Sequence, residues 1–381
     1  MSELTLNRKQ NTPAALGYRM PAEWEPHAST WLGWPHNRTD WPGKFPPIPW
    51  VYAEIVRHLA PVERVDIIVE DAAAEARARD VLERANALRE TVRFHRWRTN
   101  RGWTRDFAPI LVHRDAERDP VAAINFRFNG WAKYPDWPLD QRASEQMVRW
   151  LKFPTWRPGV AHAPSRVRKQ NEGGARSPSN ARDRSIVLEG GSIDVNGRGL
   201  LLTTEECLLS ETQQRNPGLT RDHLERVFAD YLGIEKVLWL ERGIAGDDTH
   251  GHIDDLARFV SPDTIVTVVE GNRDDINHQS LANNLQRLRA ATDQRGHGLN
   301  IVELPMPAPV FFRGHRLPAS YANFYIANRL VLAPVFNDRH DRLALNILAD
   351  LFPDREIIPI FSGDLICGLG AIHCMTMQQP A

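Results

Sequence analysis

The apolar and polar positions in the second half of the chain repeat in one order. Two short apolar runs come first, then an amphipathic stretch that predicts a helix, and then a third apolar run that predicts a strand. This order begins near Glu189, His252 and Ser320, which gives a period of roughly 65 residues. Asn196-Gly197 between the first two runs indicates a hairpin turn. Repetition of one such unit predicts an array that is stacked or closed on itself.

Two looser copies of the same order precede these three units. One opens near Ala28 and the other near Trp103. A strand predicted over residues 372–378 would complete the first copy. Five units would then close into a ring, so the predicted fold class is α/β, with a single domain over residues 1–381.

Residues 156–185 differ sharply from their surroundings. They are rich in Arg, Ser, Asn, Gly and Pro and contain almost no apolar residues. Such a composition cannot bury enough apolar surface to offset the entropy lost on ordering. We predict a flexible basic insertion within the domain. It lacks the interleaved aromatic residues typical of single-stranded nucleic-acid binding.

Composition and charge narrow the functional classes. The formal net charge is −1, so no overall electrostatic attraction to nucleic acid or to an anionic membrane is expected. Residues 1–15 are polar, and no apolar run reaches about 18 residues, which argues against a signal peptide and a membrane span. Three cysteines are too few for a disulfide framework. We expect a cytoplasmic globular protein without nucleic-acid or membrane partners. The sequence leaves homo-oligomerisation open.

The candidate chemical groups fall at equivalent places in the units. Asp106, Glu189 and His252 each lie where the first strand of a unit begins, and Cys374 lies on the closing strand. In a closed ring, equivalent places converge on the axis. Asp254 follows His252 by two residues, a spacing that faces one side if the segment is a strand. Taken singly, each residue has an ordinary alternative, such as a turn-capping aspartate or a buried cysteine.

A thiol, an imidazole and several carboxylates together suit a small cationic guanidine substrate. Carboxylates bind a guanidinium group through paired hydrogen bonds. A thiolate can attack its central carbon, and a histidine can carry protons to the departing ammonia and from water. Because a free cysteine has a pKa of about 8.5, the thiol needs a nearby positive charge, which the bound cation itself can supply.

Several longer motifs are more specific. They are WTRD at 103–106, FNGW at 128–131, LEGGSIDVNG at 188–197, LLTTEECLL at 201–209, RNP at 215–217, GHID at 251–254 and IHC at 372–374. With these motifs the chain resembles the agmatine deiminase / bacterial-type peptidylarginine deiminase family of the pentein superfamily, from Glu25 to Gln379. The resemblance implies a five-bladed α/β-propeller of ββαβ units around a pseudo-fivefold axis, forming one catalytic domain.

The resemblance also implies roles for individual residues. Cys374 would be the nucleophile that forms an amidino-thioether, and His252 the general acid and base. The guanidinium would be held by Asp106, Glu189 and Asp254. The side chains of Trp103 and Trp131 would wall the site. No metal or cofactor would be needed.

The implied reaction is hydrolysis of agmatine to N-carbamoylputrescine and ammonia, in putrescine and polyamine biosynthesis. Deimination of arginine or protein arginine on the same site is the nearest alternative.

Two segments depart from the family pattern. Gly368-Leu369-Gly370-Ala371 replaces the run GGGN, and DDTHGH at 247–252 replaces a DETDGH-like segment. Both departures are expected to reshape the pocket.

Two other functional classes remain open at this stage. His250, His252 and Asp254 match the HxHxD start of a metallohydrolase motif, a donor set that suits zinc. Asp255 stands where that motif requires another histidine. The substituted residues Leu369 and Ala371 also suit a non-catalytic protein that binds guanidines.

A chelator separates the metallohydrolase from the cysteine hydrolase. We expect activity measured after dialysis against a strong chelator to equal that of the untreated protein, because no step of the cysteine chemistry needs a metal. Loss of activity that added Zn²⁺ restores would establish the metallohydrolase instead.

Overall fold

The computed structural model describes residues 11–159 and 185–381. Its strands, numbered β1 to β18 in chain order, are His27–Gly33, Arg64–Val69, Val92–Arg96, Ile110–His113, Val121–Ile124, Thr155–Trp156, Asp194–Val195, Leu200–Thr204, Lys236–Leu240, Ala257–Ser261, Thr264–Val269, Asn300–Pro305, Phe311–Phe312, His315–Arg316, Tyr325–Ile326, Leu330–Val335, Glu356–Phe361 and Thr376–Pro380.

The helices in those two ranges are of two kinds. The α-helices are Ile48–Leu59, Ala72–Arg84, Thr104–Phe107, Pro138–Leu151, Glu205–Leu209, Arg221–Leu232, His278–Ala290, Asp341–Leu351 and Ile372–Met375. The 3₁₀ helices are Ala14–Leu16, Gly190–Ser192, Ile253–Asp255 and Leu365–Gly368. No helix of the described ranges is long and apolar enough to cross a bilayer.

The larger sheets share one topology. Their strand orders are β18-β1-β2-β3, β4-β5-β6, β7-β8-β9, β10-β11-β12 and β15-β16-β17, while β13 and β14 form a separate pair. In each larger sheet an antiparallel pair is followed by a parallel strand, and a helix connects the two parallel strands. Strand β18 pairs with β1, so the end of the chain completes the first sheet. The predicted α/β class, strand order and unit phase are confirmed.

Helix Arg221–Leu232 shows how the sequence sets these units. Thr220 caps its beginning, since its hydroxyl accepts from the N–H of His223 while its own N–H donates to the His223 ring. Gly233 ends it with φ 71°, a left-handed conformation that favours glycine. Leu224, Phe228 and Leu232, at intervals of four residues, bury one face against the core.

The strands predicted over 252–260 and 372–378 begin later than expected. Residues Ile253–Asp255 form a 3₁₀ turn before β10, and Ile372–Met375 form a helical turn before β18. Cys374 therefore lies in a helix and not on the closing strand. The prediction missed these turns because every residue in them is buried. Their sequences therefore show no alternation of apolar and polar residues that would distinguish a turn from a strand.

The predicted basic insertion over 156–185 lies almost wholly outside the described residues. At its edges, Thr155–Trp156 pairs with β5, and Gly159 forms an isolated antiparallel bridge with Ser185. The two ends of the segment therefore come together beside the second unit.

Each larger sheet is preceded by a short buried segment just before its first antiparallel strand. We name these the five pre-strand turns: Thr104–Phe107, Gly190–Ser192, Ile253–Asp255, residues 320–324 and Ile372–Met375. They touch one another in a closed cycle. Residues from different parts of the chain are thereby brought to one place.

The cap of helix Ala72–Arg84 offers a test of local stability. Asp71 accepts a hydrogen bond of 2.8 Å from the N–H of Ala74, as its position before the helix predicts. Asp71→Ala should lower the free energy of unfolding by about 1 kcal/mol in urea titrations, because that N–H loses its partner. The control is Asp80→Ala on the same helix, whose exposed side chain forms only a surface ion pair with Arg84. Equal losses in the two variants would contradict the capping role.

Candidate active site

The pre-strand turns, with the residues directly before two of them, bring together the five polar residues selected from the sequence. His252 Nδ1 lies 3.9 Å from an Asp106 oxygen, and His252 Nε2 lies 3.9 Å from a Glu189 oxygen. Cys374 Sγ lies 3.7 Å from Asp254 Oδ2. All five side chains are buried. The five side chains therefore lie close together, as predicted from the unit phase.

Two glycines allow the first three turns to approach this closely. A Cβ on Gly190 would lie 2.4 Å from the backbone oxygen of Arg105, and one on Gly191 would lie 2.7 Å from His252 Nδ1. Neither distance is tolerable for any residue other than glycine. The Gly191 N–H donates to Asp106 at 3.1 Å, which ties the second turn to the first.

Asp106 is the least compensated of the three carboxylates expected to hold the guanidinium. Its carboxylate accepts hydrogen bonds from Trp131 Nε1 at 2.9 Å and from Gly191 N. Burial raises the pKa of Asp106 to about 6, the His252 charge opposes this rise, and the charges of Asp254 and Glu189 reinforce it. Near neutral pH this carboxylate is ionised but easily protonated.

Glu189 has a fixed cationic partner, Arg215. The Arg215 Nε donates to Glu189 Oε1 at 3.2 Å, and both side chains are shielded from solvent. Burial raises the pKa of Glu189, but the charges of Arg215 and His252 outweigh burial and lower the pKa to about 2. Glu189 is therefore a permanent anion. Its carboxylate is fully buried.

His252 occupies the space between Asp106 and Glu189. Burial lowers its pKa, but Asp106, then Cys207 and Glu189, raise the pKa well above its ordinary value. Among the described residues, neither ring nitrogen has a hydrogen-bond partner, and the same holds for Glu189 Oε2 and Asp254 Oδ1. An unsatisfied buried polar group costs about 1–3 kcal/mol. Four such atoms close together are positioned to bind a polar ligand.

The thiol of Cys374 faces the acidic groups. Its Sγ accepts a 3.2 Å hydrogen bond from Asn323 Nδ2. Burial, followed by the charges of Asp254, Asp255 and Asp106, raises the pKa of Cys374 well above its ordinary value. The thiol is thus protonated in the free site. A cation placed among the carboxylates would remove this electrostatic penalty and favour the thiolate.

Asn323 was not selected from the sequence. Besides contacting Cys374, it donates to Asp255 Oδ1 at 3.0 Å and accepts from the His373 N–H at 3.0 Å. It lies in the fourth pre-strand turn, three residues after Ser320, the place that corresponds to Glu189 and His252. The unit phase therefore pointed to this turn but not to Asn323 itself.

A network of buried ions lies beneath the site. His373 Nδ1 is 2.7 Å from Asp254, and its Nε2 is 2.8 Å from Glu23. Glu23 also pairs with Arg105 at 3.1 Å and with Arg258 at 2.9 Å. These contacts fix the Asp254 carboxylate beside Cys374. The pairing of His373 with both acids was not predicted, since it joins segments distant in sequence.

A cavity leads from the surface to Cys374 and Asp106. It offers about 230 Å³ to water-sized molecules, and Trp103 and Trp131 are among its walls, as predicted. Glu189, His252 and Asp254 lie behind this wall and do not line the cavity. Leu369 lines it too, in a left-handed conformation with φ 69°, so this departure from the glycine run places a side chain in the pocket wall.

The proposed HxHxD metal set is not assembled. His250 has φ 67°, which turns its ring towards Ser210 at 3.2 Å and away from Asp254. The alternation expected of a strand fails because residues 250–255 are a turn. Within 11–159 and 185–381, the group close enough to share one metal ion is Glu189, Cys207 and His252.

The raised pKa of Asp106 predicts a pH-dependent stability. An acid whose pKa rises from 3.8 to about 6 on folding holds its proton more tightly in the folded state. Wild-type protein therefore loses stability as pH rises through this window. Asp106→Asn removes the loss, so its free energy of unfolding relative to wild type should increase by roughly 2.5 kcal/mol between pH 4 and pH 7.

Urea titrations at several pH values measure this difference. Asp350→Asn, on the exposed end of helix Asp341–Leu351, serves as the control and should show a difference that is nearly independent of pH. A flat or falling difference for Asp106→Asn would contradict the burial argument.

Known proteins share both the sequence and the architecture. The agmatine deiminase of Medicago truncatula is 32% identical over 405 residues, covering 98% of this chain and 99% of that protein. The agmatine deiminase of Pseudomonas syringae pv. syringae (strain B728a) is 33% identical, covering 99% and 98%. The solved agmatine deiminase of Enterococcus faecalis, at 28% identity, has a TM-score of 0.82 and covers 97% of each chain.

A second solved structure has its substrate bound. It is an agmatine deiminase variant of C. jejuni, with 25% identity, a TM-score of 0.79 and 96% coverage of each chain. The family model described as Porphyromonas-type peptidyl-arginine deiminase matches residues 19–380, nearly the whole chain. The chain belongs to the Porphyromonas-type peptidyl-arginine deiminase family.

Proposed function

We propose that this protein is an agmatine deiminase, a hydrolase that converts agmatine and water to N-carbamoylputrescine and ammonia. The observation that carries the proposal is the meeting of one thiol, one imidazole and three carboxylates at one place, where Cys374 and Asp106 line a cavity and the other three groups lie behind its wall. The relatives named above, matched over their full length, support this substrate. The corresponding pathway is polyamine biosynthesis through putrescine.

Substrate binding follows from the charges. The guanidinium would replace the missing hydrogen-bond partners of Glu189 Oε2 and Asp254 Oδ1 and would neutralise Asp106. Planar guanidinium groups match carboxylates through paired N–H donors. The positive charge would also lower the pKa of Cys374, so the nucleophile ionises only when substrate is present.

The proposed chemistry has two halves. Cys374 releases its proton to solvent when the cation binds, and its Sγ then attacks the guanidino carbon. His252 delivers a proton to the departing nitrogen, and ammonia leaves an amidino-thioether. Water then attacks the same carbon while His252 accepts its proton, and the C–S bond breaks. The thiol is restored, and the product carries a ureido group. His252 lies between two carboxylates that favour its protonated form, which suits the first transfer.

The charged groups that line the cavity support agmatine over arginine, because Asp40, Asp106 and Asp248 outnumber the one lining cation, Arg101. Asp248 lines it, pairs with Lys133 and accepts from the Tyr134 hydroxyl, and Asp40 lines it beside Arg101. A primary ammonium at the substrate tail would meet these acids. An arginine carboxylate would need a free cation, and Arg101 is already paired with Asp40 and, at 3.1 Å, with Asp136.

We further propose that the five units form a five-bladed ring around a pseudo-fivefold axis. The closed cycle of pre-strand turns and the shared sheet topology support this arrangement.

Cys207, Cys367 and Cys374 are all free thiols, which is in keeping with the reducing cytoplasm as the site of action.

Ammonia release from agmatine, arginine and an arginyl peptide tests the substrate. We expect kcat/KM to be highest for agmatine, because only its tail is a cation without a carboxylate. Cys374→Ala should lower kcat by at least about 10⁴-fold while changing the free energy of unfolding by less than about 1 kcal/mol. Wild-type protein quenched during turnover should show an adduct on Cys374 by intact mass.

Cys367→Ala is the matched control, because Cys367 is a second buried thiol close to the same cavity wall. It should keep wild-type activity. Substantial turnover by Cys374→Ala would remove the nucleophile from the proposal. Agmatine binding without ammonia release by wild-type protein would favour the non-catalytic guanidine-binding alternative.

A further inference from the structure

A second set of donor atoms lies on the inner side of the proposed active site. Glu189, Cys207 and His252 each offer one ligand atom, and these atoms all lie within 4.8 Å of one another. His252 Nε2 and Glu189 Oε2, 3.9 Å apart, are both buried and have no hydrogen-bond partner among the described residues. The proposed deiminase steps assign Cys207 no bond and no proton transfer, and it contributes only by raising the pKa of His252.

The donor set is that of a zinc site. Sulfur, imidazole nitrogen and carboxylate oxygen are the three protein ligands of Zn²⁺, at distances of about 2.0–2.3 Å. Ligand atoms around one tetrahedral ion are therefore about 3.3–3.8 Å apart. Side-chain movements of about an ångström would bring the present atoms into that range, and a fourth position would remain for water.

The neighbouring charges determine the affinity of such a site for a metal ion. Arg215 binds the other oxygen of Glu189, so its positive charge weakens cation binding but leaves Oε2 available. Asp106, 3.9 Å from the His252 ring, acts in the opposite direction. Cys207 is held at the start of helix Glu205–Leu209, where its N–H donates to Thr204 Oγ1 at 3.1 Å. These features suit reversible binding better than a permanent structural metal.

We propose that Glu189, Cys207 and His252 form an inhibitory site for Zn²⁺ or a similar soft divalent cation. Two of its three ligands are the groups that would hold the guanidinium and transfer protons, so metal and substrate exclude each other. This exclusion rests on the proposed function, whereas metal binding itself does not. The site differs from that of the metallohydrolase alternative in its ligands, because it uses Cys207 in place of His250 and Asp254. It also differs in effect, because the bound metal would inhibit the enzyme and would not catalyse hydrolysis.

Cobalt titration without substrate tests the binding site. Co²⁺ replaces Zn²⁺ in such donor sets and gives an intense charge-transfer absorption when a thiolate is bound. We expect the absorption in wild-type protein, in Cys367→Ser and in Cys374→Ser, and its loss in Cys207→Ser and Cys207→Ala. Thermal melts of the two Cys207 variants confirm that they are folded.

Three outcomes would overturn the site: no absorption in wild-type protein, absorption retained by both Cys207 variants, or loss only in Cys374→Ser. The last outcome would place the metal on the proposed nucleophile. Because these titrations contain no agmatine, they give an answer even if the deiminase proposal fails.

Zinc inhibition of agmatine turnover tests whether the metal and the substrate exclude each other. Inhibition of wild-type protein should be competitive with agmatine. Loss of one ligand should raise the half-inhibiting Zn²⁺ concentration by roughly tenfold or more in Cys207→Ser, with Cys367→Ser unchanged. Equal inhibition of the two variants, or inhibition that agmatine does not relieve, would refute the inhibitory role.

Discussion

The structure depends on holding several negative charges together away from water. Asp106, Glu189 and Asp254 surround one small volume, and isolated buried carboxylates would simply take up protons. Arg215 keeps Glu189 ionised, and His373 does the same for Asp254. Asp106 receives less compensation, and its pKa of about 6 records the remaining deficit. A planar cation would correct this deficit, so the charge balance of the site favours the substrate class proposed above.

That arrangement is possible because the site lies between units and not within one. Each pre-strand turn contributes one or two polar groups, and each is held by its neighbours, as when Asn323 joins Asp255 to Cys374. Gly190 and Gly191 remove the side chains that would keep the turns apart. A turn buried on every side has its backbone fixed by adjacent units, which gives reacting groups a rigid support.

Much of this could be predicted from the sequence because the unit repeats. The phase of the strands located Asp106, Glu189, His252 and Cys374, and caps such as Thr220 and Gly233 defined helix ends. The local conformations around His252 and Cys374 could not be predicted, since uniformly buried segments carry no alternation. Pairings such as Arg215 with Glu189 were equally inaccessible, because they depend on which loops of neighbouring units come together.

The pairing of β1 with β18 affects the order in which the protein folds. Trp31 is aligned with Met377, so the sheet nearest Cys374 joins the two most distant parts of the fold. Contacts of such high sequence separation form slowly, after local helices and hairpins have already appeared. During refolding, the circular dichroism signal would therefore recover before enzyme activity, and a partly folded molecule would have most of its secondary structure before the pocket around Cys374 had formed.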